Sequence, residues 1–432
     1  MRLEFQLGAL QQIFHGMGRT AVAVTPNRLS QVVFVLFSRQ ICGMAACSAI
    51  VLLPAPMSDL LQKLTNIRRD LRAEYLQPHA WPWMIGFSGG KDSTLILHLV
   101  VECLKTVPPD ERHRPVFIVC NDTLVESPVF HAFTSSLLEQ IEDGIAGLNI
   151  PVQVIRTAPL PEESFWVNLL GRGYPAPNRS FRWCTDRMKI RPTSRFIREQ
   201  VSHSGNAILL LGVRRDESSQ RAQSVAKYHD NLESRLSVHN DHPGCFIFAP
   251  IRDITTEEVW ACLIAARPPW GGSYRDLVAL YKEAAGQECP FVLSKADAPG
   301  CGTNSARFGC WTCTVVDKDR SLDSLIAGDH PHLEPLSDFR QRLKQVSNDP
   351  DCRSKTRRNG LPGLGPLTME IRKILLDELL SIQETTGEPL ISSLEVRLIR
   401  EQWIQDESKE RMRNLAFSAD NTEEMEEILQ PL

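Results

Sequence analysis

A short apolar strand, a glycine pair and a helix start follow one another directly, and this succession constrains the chain most. WMIGF at 83–87 reads as a strand, and Ser88-Gly89-Gly90-Lys91-Asp92-Ser93 follows it at once. The next stretch, 92–105, is apolar nearly all round, through Leu95, Ile96, Leu97, Leu99, Val100 and Val101. Such a helix is one buried against a sheet. The alternation continues to about residue 253, with further candidate strands at 116–120, 152–156, 207–212 and 246–251. Strands separated by helices close through right-handed crossovers. The expected fold is therefore α/β with a doubly wound, mostly parallel sheet, whose ligands lie beyond the carboxyl ends of the strands.

The loop after the first strand has the makings of an anion site. Its glycines let backbone N–H groups approach a phosphate, and the helix dipole adds to them. It is not a Walker A loop, which needs four residues between its first glycine and the Gly-Lys pair, with Ser or Thr directly after the lysine. Here three residues intervene and Asp92 follows Lys91. A glycine-rich turn without a ligand is the alternative. The Ser-Gly-Gly-Lys-Asp-Ser run resembles the pyrophosphate loop of the N-type ATP pyrophosphatases. That resemblance implies that Ser88, Gly89, Gly90, Lys91, Asp92 and Ser93 bind ATP. The ATP would be split between its α and β phosphates, with Lys91 and a magnesium ion offsetting the charge of the departing pyrophosphate.

Twelve cysteines are too sparse for a disulfide scaffold and are read as thiols or metal ligands. Cys301, Cys310 and Cys313 lie in PGCGTNSARFGCWTC, a run without helical periodicity. A fourth ligand is needed to close a tetrahedral set. Cys184, in Arg-Trp-Cys-Thr on a loop near the sheet's ligand edge, is the leading candidate, and Cys289 is the alternative. Cys103 and Cys262 fall on apolar helices, Cys120 ends a strand, Cys245 has no such simple account, and Cys42 and Cys47 lie in an atypical leader. Zinc and an iron–sulfur cluster both suit four thiolates.

The formal net charge is −4, so a nucleic-acid partner would have to be met by a local basic surface. Residues 181–200 carry six basic and two acidic side chains around Cys184, and 213–221 contribute Arg214, Arg215 and Arg221 beside Asp216 and Glu217. Lying beyond the strand ends, these two patches are read as anion grips, and Lys91, Asp92, Arg214 and Arg215 are the candidate catalytic residues. A third cluster, Arg353, Lys355, Arg357 and Arg358, lies in a glycine-rich loop; a solvated face explains it equally well.

Four segments are expected. Residues 1–56 form the leader, whose apolar run at 32–53 is broken by Ser38, Arg39 and Gln40, which argues against a membrane span. Met57 is the expected working start. The α/β domain occupies 57–265 and the cysteine loop region 266–352. A helical C-terminal region fills 353–432, with Thr368 and Ser392–Glu395 as helix starts. Its first helix would bury Ile371, Ile374, Leu375 and Leu379, and its second Val396, Ile399 and Trp403. Thr255 with Glu258 forms a capping box ahead of Val259, Trp260 and Leu263.

From Met57 to Trp403 the chain resembles the DndC family, the ATP-dependent sulfurtransferases of bacterial DNA phosphorothioation, relatives of phosphoadenylylsulfate (PAPS) reductase. The motifs are FSGGKDST, NDTLVESP at 121–128, FWVNLLGRGYPAPNRSFRWCTDRMKIRP at 165–192, LGVRRDES at 211–218, the CGTNSARFGCWTC loop and GPLTMEIRKILL at 365–376. The resemblance implies an adenine nucleotide alpha hydrolase-like fold and a 4Fe–4S cluster on Cys184, Cys301, Cys310 and Cys313. It also implies ATP and Mg2+, a DNA substrate, a cysteine desulfurase as sulfur donor, other phosphorothioation (Dnd) proteins as partners, and a cytoplasmic, membrane-free setting within a modification and restriction system. A sulfate-assimilation reductase is the runner-up. However, its tail cysteine and adjacent Cys-Cys pair are missing, the last cysteine here being Cys352. A tRNA thiolase shares the loop but not the spacing. A scaffold that binds ATP without catalysis is the non-enzymatic alternative.

Overall fold

The computed structural model describes residues 20–25, 33–38, 48–52, 55–217, 235–284 and 308–428. Three strands, β1 (Thr20–Thr25), β2 (Val33–Ser38) and β3 (Ser48–Leu52), form an antiparallel meander with β2 in the middle. The segment read from sequence as a leader thus contains strands, which among the described residues pair only with one another. Among the described residues no helix is long and apolar enough to cross a membrane.

Helix α1 (Ala55–Tyr75) buries Leu64, Ile67, Leu71 and Tyr75 and leads into the main sheet. Its strands are β4 (Trp83–Phe87), β5 (Val116–Asn121), β6 (Val152–Thr157), β7 (Ala207–Leu210), β8 (Ser237–Val238) and β9 (Cys245–Phe248). They lie in the order β6-β5-β4-β7-β9-β8, and every pairing is parallel except that of β8 with β9. The chain moves outward from β4 through β5 to β6, then returns to the other side of β4 as β7. A ligand crevice opens where the order reverses, between β4 and β7.

Two strands end short of their expected spans. β7 stops at Leu210 because the chain must pass the start of the helix after β4; a Cβ on Gly212 would lie 3.2 Å from the Asp92 carbonyl carbon. β9 begins at Cys245 and ends at Phe248, since Pro250 has no N–H for a ladder and Arg252 N turns back to Ala249 O.

Alternate residues of the strands feed two cores, as the period of 2 requires. Ile85, Phe87, Ile118, Ile208 and Leu210 face α1, α2 (Lys91–Thr106), α3 (Pro128–Ala146), α5 (Thr256–Ala265) and α6 (Arg275–Ala284). Met84, Val119, Ala207, Leu209 and Cys245 face Phe196 and Ile197 of α4 (Arg191–Ser204). The Thr255–Glu258 capping box at the start of α5 is fully formed.

A third core joins distant stretches of sequence. Residues 165–183 pack with the helices α7 (Arg320–Ala327), α8 (Glu334–Asn348), α9 (Met369–Thr386) and α10 (Ser393–Ile428), around Trp166, Trp311, Phe339, Leu375 and Ile399. Two buried indoles tie it: Trp166 Nε1 donates to Leu390 O at 2.7 Å, and Trp403 Nε1 to Leu170 O at 2.8 Å. Thr368 and Ser392–Glu395 cap α9 and α10 as expected. Ile374 does not join the buried stripe; it is 40% exposed, and Leu376 takes the inward place.

Candidate functional site

The phosphate-loop residues lie at the carboxyl end of β4, at the reversal of strand order. Gly89 has φ +70°, a left-handed conformation that suits glycine. Gly90 is the N-cap of α2 and, having no side chain, makes no side-chain cap. Ser93 closes the loop on itself: its Oγ accepts from Ser88 N at 3.2 Å and donates to Gly90 O at 3.0 Å. Opposite lies Tyr281, whose Oη accepts from Lys91 N at 3.3 Å. Lys91 Nζ donates to Asp92 Oδ2 at 3.0 Å and sits 5.8 Å from the centre of the Tyr281 ring.

The expected catalytic residues divide by position. Asp92 Oδ1 accepts from Arg214 Nε at 2.7 Å, so this carboxylate lies between two cations. The Arg214 side chain is 1% exposed and also donates to Ile254 O and Thr256 Oγ1, each at 3.2 Å. It therefore braces the start of α2 from within, where the sequence suggested an anion grip. Arg215 points elsewhere, pairing through Nε with Asp253 at 2.8 Å.

Of the four proposed cysteine ligands, Cys301 lies outside the described residues, as do Cys289 and Arg221. The other three come together. Cys310 follows a seam in which Trp311 N donates to Val125 O and Ser127 N to Gly309 O, and Cys310 is bridged to Glu126. Cys313 N returns to Cys310 O in a tight turn. Cys184 opens the turn Thr185–Ile190, a π-helical turn that runs straight into α4 where a loop was expected. Asn121, at the end of β5, donates to Met188 O at 2.8 Å and holds that turn against the sheet.

All three thiols are free. Burial pushes the Cys310 thiol up to about 11, with Cys184 among the nearby charges adding to it, and Lys189 opposing. Cys184 is raised by burial and by Cys313. Cys184 and Cys310 pack against the same core, and Cys313 turns back on Cys310. A metal centre at such a site would take up the thiolate charge.

Several residues of the site are not among the expected ligands or catalytic residues. Arg340, 1% exposed, donates to Cys313 O at 2.6 Å and to Val316 O at 2.5 Å, holding the cysteine turn in shape. Phe308 stacks on Phe130 at 4.7 Å and meets Tyr281 edge-on at 5.0 Å, so the cysteine loop touches the residue that holds the phosphate loop. Glu126 is pushed up to about 7 by burial, then by Asp122. Asp122, Glu126 and His131 present ligand atoms within 4.8 Å of one another. Distance in sequence hid the contacts of Arg340 and Phe308.

The basic segments also prove to be structured. Glu163 gathers Arg191 at 2.5 Å, Arg195 at 3.2 Å and Arg187 at 3.8 Å, so part of the positive charge around Cys184 is neutralised internally. Arg353 is likewise a brace, donating to Ser347 O at 2.7 Å and to Gly365 O. Lys355, Arg357 and Arg358 stay exposed. The Tyr174 ring lies 5.5 Å from the Arg187 guanidinium and 4.7 Å from that of Arg358, which joins the first and third basic segments.

The phosphoadenosine phosphosulfate reductase domain matches residues 82–316, more than half of the chain. The chain belongs to that family. The matched span runs from β4 through the turn that carries Cys310 and Cys313, so it includes the phosphate loop, Arg214 and Cys184. This member of the phosphoadenosine phosphosulfate reductase domain family is similar to an uncharacterized protein of Methanocaldococcus jannaschii, 27% identical over 193 residues. That match covers 45% of this chain and 33% of the relative, so the chain spans a third of that protein's length. Among solved structures it is similar to the U34-tRNA thiolase NcsA from Methanococcus maripaludis with its 4Fe–4S cluster. The identity is 14% and the TM-score 0.28, over 66% of this chain and 80% of that one.

Proposed function

We propose that this protein is an ATP-dependent sulfurtransferase that places sulfur on a DNA backbone phosphate. The carrying observation is the contact between its two halves. A phosphate loop at the sheet's reversal point and a turn bearing Cys310 and Cys313 meet through Phe308 and Tyr281. A nucleotide-activating site beside a thiol site is the arrangement that activation followed by sulfur transfer requires.

Ser88, Gly89, Gly90, Lys91, Asp92 and Ser93 receive ATP with its magnesium. The amides at the start of α2 and the Lys91 ammonium hold the departing pyrophosphate. Asp92, fixed by Arg214, keeps Lys91 in place. A non-bridging oxygen of the DNA phosphate attacks the α phosphorus, and pyrophosphate leaves. Sulfur from a cysteine desulfurase persulfide, brought to the sulfide level by two electrons from a reducing thiol, then attacks the DNA phosphorus. The bond to the activated oxygen breaks and AMP carries that oxygen away. Cys184, Cys310 and Cys313, with Cys301, would hold a 4Fe–4S cluster, which when bound supplies sulfur-carrying or electron-transfer chemistry. Arg340 and the Val125–Ser127 seam keep these thiols oriented. Exposed Arg182, Lys189, Lys355, Arg357 and Arg358 meet the DNA backbone, with other Dnd proteins completing a cytoplasmic complex.

Mass spectrometry of nuclease-digested DNA from cells with the intact gene, a deletion, or Cys310→Ser tests this. Phosphorothioate-linked dinucleotides should disappear in both altered strains. Their persistence in the deletion strain would exclude DNA as the substrate. ADP and phosphate in place of AMP and pyrophosphate would exclude adenylation.

A further inference from the structure

Two hydroxyls from outside the phosphate-loop motif approach its two glycines. Thr134 Oγ1, on α3, lies 2.7 Å from where a Cβ on Gly89 would stand. Tyr281 Oη, on α6, lies 3.2 Å from where a Cβ on Gly90 would stand. The missing side chains of the glycine pair are thus replaced by polar groups brought in by two other helices.

Both hydroxyls are placed to donate. Thr134 is 6% exposed, and its Oγ1 has no hydrogen-bond partner among the described residues. A buried hydroxyl left unpaired is costly, so a site that keeps one has a use for it. Tyr281 Oη accepts from Lys91 N, which leaves its own O–H to give. Burial pushes that phenol well up, so it stays protonated. Trp260 at 5.0 Å and Phe308 at 5.0 Å meet the Tyr281 ring edge-on and hold its direction.

We infer that Thr134 and Tyr281 are positioning residues for the ligand of this loop, each donating a hydrogen bond to the bound diphosphate group. The inference rests on the reading of the loop as a pyrophosphate site and extends that site to α3 and α6. A charge-assisted hydrogen bond of this kind supports roughly a tenfold change in affinity or more.

The test is calorimetric titration of the full chain with magnesium pyrophosphate, alongside thermal melts of the ligand-free proteins. Thr134→Val and Tyr281→Phe should each weaken binding about tenfold, and Thr134→Ser should bind like the unaltered protein. A merely structural role would lower the melting temperature and leave the affinity unchanged, and that result overturns the inference. So does tighter binding by Tyr281→Phe, which would make Tyr281 a competitor for the Lys91 amide. If Thr134→Val does not fold, Thr134→Ser and Tyr281→Phe decide. If the unaltered protein binds no pyrophosphate, the loop reading itself fails, whereas normal binding by both variants removes only the two hydroxyls.

Discussion

Arg214 reaches Asp92 across 122 residues of sequence, Nε to Oδ1 at 2.7 Å, and this pair pins the start of α2 to the end of β7. Read from sequence, both are candidate catalytic residues, with Arg214 as an anion grip. Together they place one carboxylate between Arg214 and Lys91 at the mouth of the crevice.

Replacing Arg214 with methionine is expected to leave Asp92 underneutralised and Ile254 O without its donor. Breaking such a pair costs on the order of 3 kcal/mol, and pyrophosphate affinity should fall with it. Arg214→Lys keeps the charge but not the three-way bonding, and should recover only part of the loss. Urea unfolding and titration of both variants check this.

Acid should unfold the α1–α2 contact through Glu102. Burial alone would raise its carboxyl, but the hydrogen bond and charge of His98, with Arg68, overcome burial and hold it at about 2 against an ordinary 4.5. The folded pKa is depressed, so the stabilisation is complete above 4.5 and is lost as pH falls through that range toward 2. Glu102→Gln should therefore be less stable than the unaltered protein at pH 7 and show a shallower decline below pH 4.5, measured by denaturant unfolding at each pH.

Gly144 tolerates no side chain. A Cβ there would lie 1.9 Å from Trp270 O, a backbone atom that cannot swing aside. Gly144→Ala gains helix propensity in the last turn of α3 but should still destabilise by about 1–3 kcal/mol through overpacking. A fall in melting temperature tests the balance.

The cysteines should separate cleanly in a metal assay. Cys184→Ser, Cys310→Ser and Cys313→Ser are each expected to lose most bound iron after anaerobic reconstitution. Cys103→Ser and Cys262→Ser should keep it, because those thiols sit on α2 and α5 within the sheet core. Iron and acid-labile sulfide analysis gives the answer, and equal iron in all five variants would remove the cluster assignment.

Arg340→Met should loosen the same turn without touching a thiol. It removes the donors to Cys313 O and Val316 O. Iron retention should be reduced but not abolished, and limited proteolysis near residue 313 should quicken.

Local chemistry made much of this protein legible from its sequence. The strand at 83–87, the glycine turn and the apolar helix after it were readable, because the signal lies in consecutive residues and in one period. The Thr255 capping box and the Ser392–Glu395 start were readable for the same reason. The apolar face of α9 was readable only in part: Ile374 fits the helical spacing yet faces solvent, since which side of a helix is covered depends on what packs there.

Tertiary structure decided the rest. It joined 165–183 to the four C-terminal helices in a single core, turned Arg214 and Arg353 inward as braces, and gathered three arginines of the basic patch around the single carboxylate of Glu163. It also brought Thr134, Tyr281 and Phe308 to a loop that none of them adjoins in sequence. Spacing along a chain encodes contacts between residues a turn or a strand apart. Contacts closed by loops of a hundred residues or more depend on which faces are left to bury, and only the folded chain settles that.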